Sequence, residues 1–507
     1  MKIAIIGAGW YGAHIAITLA KLGHEVNLFE KNPDIFSELS AKFGVRLHRG
    51  PHYPRSKKTR ESCQSGFEEF KKAYRELIVQ HANSIYALGI KDADGNPPKI
   101  SVEEFDAVCH ETKTCRPLEL EQWRYQNLHS AYDLDEPSIV VGKVLRAKFR
   151  EYLNAAGVKL SCNYSVDSIN RVNESFYLND ETAMFDKVIN ATSYQALLPP
   201  VQDLPIEMDI QYQACLSLVY EDMRTTTRPI SFIVMDGWFP CIMPYDDRVK
   251  GEEDLNRYYI VTHGKYTIMG SYPTAGEAKA LLSSLTDEFI QEVIKPRCED
   301  EMNKFWPEFG GRFKYVGWKG AVLAKVKTNT EFRSAITFET DGVIHIIPGK
   351  VSNIFDAAKE ALALINDQNV MTKGKSRYAK GGELDRSLNE LTAEIDPNIP
   401  NTCSLQTYNE LIGGDAIFTP PASPQARATA DHSTAVQNVA LFSCKITPTK
   451  RMFKLGSDNL PPQSFSPASS SQCSALPIDP AEADEVNAIY KTAPGSPAKR
   501  LRVGSIF

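Results

Sequence analysis

The stretch that most constrains this chain is its start, MKIAIIGAGWYGAHIAITLAKLGHEVNLFE. An apolar run ends at Gly7, and apolar residues at helical spacing follow Gly12. Gly7 permits a tight turn, Gly9 lets a ligand approach the backbone, and Gly12 lets a helix pack closely on a strand. The pattern predicts a buried strand, a glycine turn, a helix and a second strand that ends at Glu30.

This arrangement predicts a dinucleotide site. The free N–H groups at the start of a helix attract a pyrophosphate, and Trp10 and Tyr11 stand in that first turn. A carboxylate at the end of the second strand accepts from ribose hydroxyls and repels a 2′-phosphate, which is the role expected of Glu30, beside Lys31. NADP is therefore disfavoured, and the glycines alone leave FAD and NAD open.

Together with this start, three further segments resemble the FAD-dependent oxidoreductases of the D-amino-acid oxidase (DAO) and glutathione-reductase-2 type. PSIVVGKVLRAKFREYLNAAGVKL, residues 137–160, resembles a strand and helix that lead to a Gly-Val strand in that family. FDKVINATSYQ, residues 185–195, resembles its VVNATG segment, with Ser193 in place of the usual glycine. DGVIHIIPGKVSNIFDAAKEALALI, residues 341–365, resembles its C-terminal flavin motif.

The resemblance implies FAD as the cofactor, because a late return of the chain to the first glycine turn is expected of a flavin fold and not of an NAD dehydrogenase. Ala191 and Thr192 would then lie near the adenosine. After the Pro-Gly-Lys turn, a helix is predicted to begin at Ser352 or Asn353. Its N-terminus would stabilise negative charge on reduced flavin.

The segment RLHRGPHYPRS, residues 46–56, contains a turn signal and many polar groups. In the resembling fold this segment passes under the pyrophosphate and reaches the flavin. Arg46 or Arg49 could then neutralise phosphate charge. The alternative is a basic surface loop with satisfied histidines.

In the same segment, His48 and His52 are candidate proton carriers near the flavin, and Tyr53 could stack or donate a hydrogen bond. A covalent link between one of these histidines and the flavin is left open. The stretch also resembles, less fully, the HxxGPHxF-like element of the flavin-dependent UDP-galactopyranose mutases, which are redox-neutral. The residues expected to bind FAD are Gly7, Gly9, Trp10, Tyr11, Gly12, Glu30, Lys31, Arg46, Arg49, Ala191, Thr192, Gly349, Lys350, Val351, Ser352 and Asn353.

Alternating apolar residues between 205 and 330 predict an antiparallel sheet, which in DAO-like enzymes covers the flavin and contacts the substrate. Lys319 and Lys325 would approach the flavin, where a lysine can act through a bound water. The expected catalytic residues are His48, His52, Tyr53 and Lys325. Further candidates for substrate contact, each equally readable as an ordinary sheet residue, are Tyr245, Tyr259, His263, Lys265 and Tyr266.

The expected fold is α/β, with a Rossmann-like FAD-binding domain built on a parallel sheet, an inserted antiparallel-sheet substrate domain and a largely disordered C-terminal tail. The tail is rich in Pro, Ser, Thr and Ala, which bury too little apolar surface to fold. The expected divisions are residues 1–204 and 330–366 for the FAD domain with helical insertions around 60–130, 205–329 for the substrate domain, 367–417 for a helical extension, and 418–507 for the tail.

Composition narrows the function further. A net charge of -6 over 507 residues gives no sign of a nucleic-acid partner. The ten cysteines contain no CxxC pair, so no metal site is expected. The cysteines are expected to be reduced thiols. No apolar run is long enough to span a bilayer, and no signal peptide is recognisable, so a cytoplasmic enzyme is expected.

The leading hypothesis is an FAD-dependent oxidoreductase that oxidises a C–H bond of a small molecule, preferably an amine or amino acid, by hydride transfer to flavin N5. One alternative is a redox-neutral sugar-nucleotide enzyme similar to the mutases above. Another is an FAD-fold interaction protein. Two similar basic elements, TPTKRMFKLGS at 447–457 and SPAKRLRVGS at 496–505, are candidate motifs for a protein partner.

Overall fold

A computed structural model describes residues 1–179, 181–224, 228–245, 257–330, 332–396 and 407–412 of the chain. The tail expected at 418–507 lies outside these residues, as do both basic elements. Within the described part, no helix is both long and apolar enough to cross a lipid bilayer.

The glycine turn belongs to a sheet that has eight strands within the described residues. Five neighbouring strands run parallel, and a three-stranded antiparallel meander extends one edge. Their order across the sheet is Val370–Lys373, Ser376–Ala379, Ile336–Thr340, Val343–Ile347, Lys187–Asn190, Lys2–Ile6, Glu25–Phe29 and Lys159–Ser161.

The start of the chain folds as its sequence predicts. Ile3 and Ile5 are fully buried, as expected for a parallel strand covered on both faces. Helix Trp10–Lys21 follows, and Gly23 ends it with φ +87°, the left-handed conformation that favours glycine after a helix. This helix shares one apolar core with Gly142–Ala155 and Ile354–Ile365.

A second, larger sheet has nine strands within the described part of the chain, and all but one of its pairings are antiparallel. Its order is Ile268–Tyr272, Ile210–Asp222, Tyr258–His263, Pro240–Pro244, Ile230–Met235, Asn83–Gly89, Leu128–Leu134 and Cys115–Pro117, with Phe313–Val326 along the free side of Ile210–Asp222.

The helical insertion expected around 60–130 is helical only in part. Strands Asn83–Gly89, Cys115–Pro117 and Leu128–Leu134 from this region join the larger sheet. Residues 84–89 are all buried, and a short apolar run of this kind does not by itself distinguish a strand from a helix. We therefore propose that the substrate domain includes these strands as well as residues 205–329.

The extension expected to be helical from 367 begins instead with a β-hairpin, Val370–Lys373 and Ser376–Ala379. Gly374 lies between the two strands with φ +61°, a conformation that favours glycine in tight hairpins. Only short helices follow it within the described residues, Glu383–Arg386, Leu388–Leu391 and Thr407–Leu411.

Two small sheets and the remaining helices complete the described fold. The small sheets have the strand orders Ile169–Val172, Ser175–Leu178, Met184–Phe185 and Val45–Arg46, Ser138–Ile139, Ile78–Val79. The other α-helices are Leu39–Lys42, Lys57–Ala73, Val102–Glu111, Leu120–Trp123, Ala275–Ser284, Asp287–Phe289, Lys295–Phe305 and Phe309–Arg312. A π-helix spans Ile290–Ile294, and 3₁₀ turns span Arg75–Leu77, Val201–Asp203 and Val351–Asn353.

A substitution at Gly349 tests how tightly the turn at residues 348–350 is packed. A Cβ there would lie 2.3 Å from the Ala335 nitrogen and 2.4 Å from the Ser334 carbonyl carbon, both backbone atoms. We expect Gly349→Ala to lower the free energy of unfolding by about 1–3 kcal/mol in urea titrations, because the backbone must move. The control is Gly311→Ala, whose Cβ meets no atom within 4 Å and which should be neutral or stabilising.

Candidate active site

The segments singled out in the sequence meet at one cavity of about 330 Å³. It is mostly apolar, with a few charged and polar groups on its wall, which is typical of a cofactor site. Its lining residues are Gly9, Trp10, Tyr11, Leu39, Ser40, Phe43, Gly44, Val45, Arg46, His48, His52, Ala191, Ser193, Cys215, Ile233, Met243, Leu323, Ile346, Pro348, Gly349, Lys350 and Val351.

The glycine turn has the tight geometry that its sequence predicts. Gly7 has φ +100°, and a Cβ at Gly12 would lie 1.9 Å from the Gly7 carbonyl oxygen. Gly9 precedes helix Trp10–Lys21 and has no side chain to cap the free N–H groups of the first turn. These N–H groups at the cavity wall are available to a pyrophosphate.

Glu30 is held at the end of the second strand by three hydrogen bonds. Its Oε2 accepts from the Ala8 N–H at 2.9 Å, and its Oε1 accepts from the Asn32 backbone N–H at 3.0 Å and the Asn32 side-chain amide at 2.8 Å. The carboxylate is buried and fixed beside the glycine turn, and each oxygen can still accept from a ribose hydroxyl. The neighbouring Lys31 forms an exposed ion pair with Glu38 at 3.4 Å.

The Tyr11 hydroxyl joins the first helix to the C-terminal turn. It donates to the Lys350 carbonyl oxygen at 2.7 Å and accepts from the Gly349 N–H at 2.9 Å. Burial raises the pKa of Tyr11 well above its usual value, so the hydroxyl keeps its proton. These two hydrogen bonds therefore join the N-terminal helix to a turn that lies more than 300 residues later in the sequence.

The C-terminal turn refines the expected helix start. Residues Val351–Asn353 form a 3₁₀ turn, and the α-helix begins at Ile354. Asn353 Oδ1 accepts from the Lys350 N–H at 2.9 Å, and its amide donates to Ser62 Oγ at 2.7 Å. Asn353 thus braces the turn against helix Lys57–Ala73, and Ser352 is buried beside it.

The segment 190–193 closes the opposite side of the glycine turn. The Ala191 N–H donates to the Ile6 carbonyl at 2.9 Å, and Thr192 Oγ1 donates to Asn190 Oδ1 at 2.7 Å. Ser193 has φ +57°, in the left-handed region, and it stands where the motif that this segment resembles has glycine. Ser193 therefore replaces glycine at a position whose backbone conformation favours glycine.

Arg46 supplies the cavity with a buried cation. Its guanidinium lies 5.2 Å from the centre of the Tyr86 ring and 3.6 Å, at Nε, from Glu136 Oε1. None of its side-chain nitrogens has a hydrogen-bond partner among the described residues. A buried guanidinium beside the cavity supplies positive charge, which fits an anionic cofactor such as FAD.

His48 and His52 stack on one another with ring centres 4.5 Å apart, and both line the cavity. Burial and the charges of Lys350 and Arg46 hold the pKa of His48 well below its usual value. Burial, His48 and the same two cations do so for the pKa of His52. Both rings are therefore neutral near pH 7, and each has one nitrogen that is able to accept a hydrogen bond.

A second cavity, of about 300 Å³, shares His52 and Lys350 with the first. It is more polar, and its wall includes an ion pair in which Arg55 Nε donates to Asp236 Oδ2 at 2.6 Å. Its lining residues are His52, Tyr53, Pro54, Arg55, Ser56, Ile233, Val234, Met235, Asp236, Gly237, Phe239, Cys241, Thr262, Gly264, Thr330, Arg333 and Lys350.

Lys350 lies at the boundary of the two cavities, with its Nζ 4.8 Å from the centre of the Tyr53 ring. Burial, with the charges of Arg333 and Lys325, lowers the pKa of Lys350 to about 7. Lys325 is buried and lines a smaller adjoining cavity of about 70 Å³ together with Arg333 and Lys350. The three cations give this end of the site a positive field.

Several candidates lie away from both cavities. The Arg49 guanidinium donates to the Asp135 carbonyl at 2.6 Å and lies over the Phe67 ring. Tyr245 hydrogen-bonds to Lys319 on the wall of a separate, more open depression. The geometry thus gives no support to a phosphate contact from Arg49.

The candidates on and after strand Tyr258–His263 also point elsewhere. Tyr259 is fully buried in the apolar core, and His263 is buried against Tyr266. Lys265 pairs with Asp94 near the surface. Successive residues of a strand face opposite sides, and Thr262 is the one that lines the second cavity.

The sequence did not predict two residues of the site, Glu136 and Arg333. Glu136 is 1% exposed and contacts Arg46, His48 and Tyr86, and Arg333 lines the second cavity. Glu136 follows strand Leu128–Leu134, which lies mostly beyond the helical insertions expected around 60–130, and no sequence pattern predicted its approach to residues 46–48. Within the described residues, no cluster of three His, Cys, Asp or Glu side chains has the arrangement of a metal site.

Tyr11→Phe tests the link between the two ends of the site. Removing the hydroxyl leaves the Gly349 N–H and the Lys350 carbonyl without this partner, so we expect a loss of about 1–3 kcal/mol in the free energy of unfolding and faster release of FAD. Tyr272→Phe is the matched control, because the Tyr272 hydroxyl is buried without a hydrogen-bond partner among the described residues. Equal stability losses in both variants would contradict the assignment.

We expect the titration of Lys350 to make both protein stability and FAD affinity depend on pH. The unfolded lysine takes up its proton at pH 10.5 and the folded one at about 7, so the apoprotein should lose stability as the pH falls between these values. Protonated Lys350 attracts the anionic FAD, so FAD affinity, measured by fluorescence quenching, should rise about tenfold as the pH falls through this pKa. Lys350→Met should remove both dependences, and a persistent step would show that another group titrates.

Comparisons with known proteins identify the family of this chain. A sequence model of the FAD dependent oxidoreductase family, DAO, matches residues 2–345. The FAD-dependent monooxygenase kojA of Aspergillus flavus is 51% identical over 422 residues, which are 81% of this chain and 98% of that protein. The FAD-dependent monooxygenase FPY4 of Fusarium mangiferae is 28% identical over 373 residues, which are 73% of this chain and 92% of that protein.

Solved structures show the same fold at low sequence identity. Glycine oxidase from Geobacillus kaustophilus superposes with a TM-score of 0.54 at 14% identity, covering 78% of this chain and 99% of that one. L-alpha-glycerophosphate oxidase from Mycoplasma pneumoniae with FAD bound gives a TM-score of 0.52 at 14% identity, covering 72% and 94%. The α/β fold expected from the sequence is confirmed. This chain belongs to the DAO family of FAD-dependent oxidoreductases, and its cofactor is FAD.

Proposed function

We propose that this chain oxidises a C–H bond of a small amine or amino acid. Bound FAD supplies the two-electron acceptor, flavin N5, to which the hydride passes. The substrate loses that hydride from carbon and a proton from nitrogen, so it becomes an imine that water hydrolyses. Molecular oxygen or another acceptor then removes the two electrons.

The observation that carries this proposal is the second cavity. Its volume of about 300 Å³ suits a small molecule, and it meets the cofactor cavity at His52 and Lys350. A substrate held there would therefore lie against the same two residues as the cofactor.

The position of Arg333 favours a substrate that carries a carboxylate. It is half-buried on the wall of the second cavity and forms no ion pair or hydrogen bond with the described residues. A guanidinium of this kind recognises a carboxylate with two parallel hydrogen bonds. Arg55, by contrast, is already paired with Asp236, so it serves less well as a carboxylate ligand.

His52 is the group best suited to take the proton from the substrate amine. It lines both cavities, and its buried Nδ1 has no hydrogen-bond partner among the described residues. Burial lowers its pKa, so the ring is unprotonated near pH 7, although it is a weaker base than an ordinary histidine. Tyr53 lies edge-on to His52, with ring centres 4.8 Å apart, and helps to fix its orientation.

A second candidate function is insertion of one oxygen atom into the substrate. The relative that is 51% identical over nearly all of its length is named an FAD-dependent monooxygenase. A monooxygenase that hydroxylates its substrate draws electrons from an external donor, whereas an amine oxidase is reduced by its own substrate. Reduction by substrate alone, without oxygen, therefore separates the two functions, and labelled oxygen in the product would favour the second.

Anaerobic bleaching of the flavin absorbance tests the proposal. We expect amino acids or amines to bleach the holoenzyme in the absence of any other reductant, and we expect UDP-sugars to leave it oxidised. Failure of every amine and amino acid in a broad panel, combined with reduction by NADH or NADPH, would overturn the proposal in favour of the monooxygenase.

Arg333→Met sharpens the test of substrate class. Loss of a charge-assisted contact worth about 1.5–3 kcal/mol should raise the KM for an amino acid about 10- to 100-fold. The KM for the matching amine without a carboxylate should change little. Arg124→Met is the control, because this exposed arginine pairs with Glu308 outside both cavities.

A further inference from the structure

A buried carboxylate outside both cavity linings organises the cofactor side of the site. Glu136 is 1% exposed, and its Oε1 accepts a short hydrogen bond from the Tyr86 hydroxyl. The same oxygen lies 3.2 Å from His48 Nδ1 and 3.6 Å from Arg46 Nε. Its Oε2 accepts from the Arg49 N–H at 2.8 Å.

We propose that Glu136 is the positioning residue of this site: its carboxylate holds Arg46 and His48 on the wall of the cofactor cavity and fixes His48 as the tautomer protonated on Nδ1. His48 Nε2 then remains as a hydrogen-bond acceptor on a ring that faces the cofactor. This role does not depend on which substrate the second cavity takes.

The backbone of Glu136 is itself firmly held. Its N–H donates to the Leu134 carbonyl at 2.7 Å, and its carbonyl oxygen accepts a short hydrogen bond from Ser84 Oγ. Ser84 in turn contacts His81 at 2.7 Å, and His81 contacts Ser138 at 2.9 Å. Glu136 therefore lies in the connection between Leu128–Leu134 and Ser138–Ile139, and its hydrogen bonds to Leu134 and Ser84 hold it beside the larger sheet.

The tautomer follows from counting protons. A carboxylate only accepts hydrogen bonds, and a neutral imidazole has one N–H. The Tyr86 hydroxyl gives its single proton to Glu136, so it has none left for His48 Nδ1 at 3.4 Å. The hydrogen between His48 Nδ1 and Glu136 must then come from the ring, which leaves Nε2 with its lone pair.

The contact between Arg46 and Glu136 differs from a complete buried ion pair. Elsewhere in the protein, Arg312 makes two bonds to buried Asp222, at 2.9 Å and 2.6 Å, and the pair is complete. The nearest approach of Arg46 to its carboxylate is instead 3.6 Å, at Nε, and its two terminal nitrogens have no hydrogen-bond partner among the described residues. Glu136 thus offsets the charge of Arg46 without engaging the guanidinium in a two-bond pair.

The charge balance gives a measurable consequence. Reduction adds negative charge to flavin, so a nearby cation favours the reduced form and a nearby anion opposes it. Glu136→Gln keeps the size of the side chain and removes the anion, which leaves the Arg46 cation uncompensated. The midpoint potential of bound flavin should therefore become more positive.

The test measures this potential in the FAD-loaded protein by equilibration with redox dyes. We expect Glu136→Gln to shift the two-electron reduction equilibrium at least tenfold towards reduced flavin, which is about 30 mV. Asp222→Asn is the matched control, since it also removes a buried carboxylate from an arginine but lies outside both cavities. It should lower the melting temperature and leave the potential unchanged. A Glu136→Gln holoenzyme with the wild-type potential would overturn the proposal.

A second measurement needs no variant of Glu136 that folds. In wild-type holoenzyme labelled with ¹⁵N at its ten histidines, His48 should give the shifts of a neutral ring protonated on Nδ1 between pH 6 and 8. Its signals are assigned by their loss in His48→Asn. A ring protonated on Nε2, or one that titrates within this range, would contradict the assigned tautomer.

Discussion

The site depends on the hydroxyl of Tyr11. This one group both donates to and accepts from the turn at 349–350, and it is carried by the helix that begins at the glycine turn. The cofactor cavity is lined by residues from both of these segments. Gly349 is equally constrained from the other side, because the backbone at 333–335 leaves no room for a side chain. The cavity wall that bears Arg333 and the turn that bears Lys350 are therefore built as one unit.

Charge is the second organising feature. Four cations, Arg46, Lys325, Arg333 and Lys350, lie on or beside the two connected cavities, and Glu136 is the buried carboxylate that faces one of them. Burying several cations together is unfavourable without an anion, and the lowered pKa of Lys350 expresses this. An anionic cofactor such as FAD would offset part of this positive charge. The same field would favour a substrate that carries a carboxylate.

Much of this architecture could be predicted from the sequence. Gly7, Gly12 and Glu30 act through local geometry, so their spacing was enough to predict the first strand, turn and helix. The turn at 348–350 was found because it resembles a known motif. Glu136 and Arg333 could not be found this way, because each reaches the site only when strands distant in sequence are paired. The Tyr259 and His263 candidates failed for another reason, since a shift of one residue along a strand moves a side chain to the opposite face.

The two cavities draw on different parts of the chain. Apart from the shared His52, Lys350 and Ile233, the wall of the second cavity comes largely from residues 53–56, 234–241 and 262–264, none of which belongs to the glycine turn. If the second cavity holds the substrate, as we propose, substitutions in these segments would alter which molecule is accepted while the segments that line the cofactor cavity stay as they are. Substrate preference could then change through one wall of the site without a change in cofactor binding.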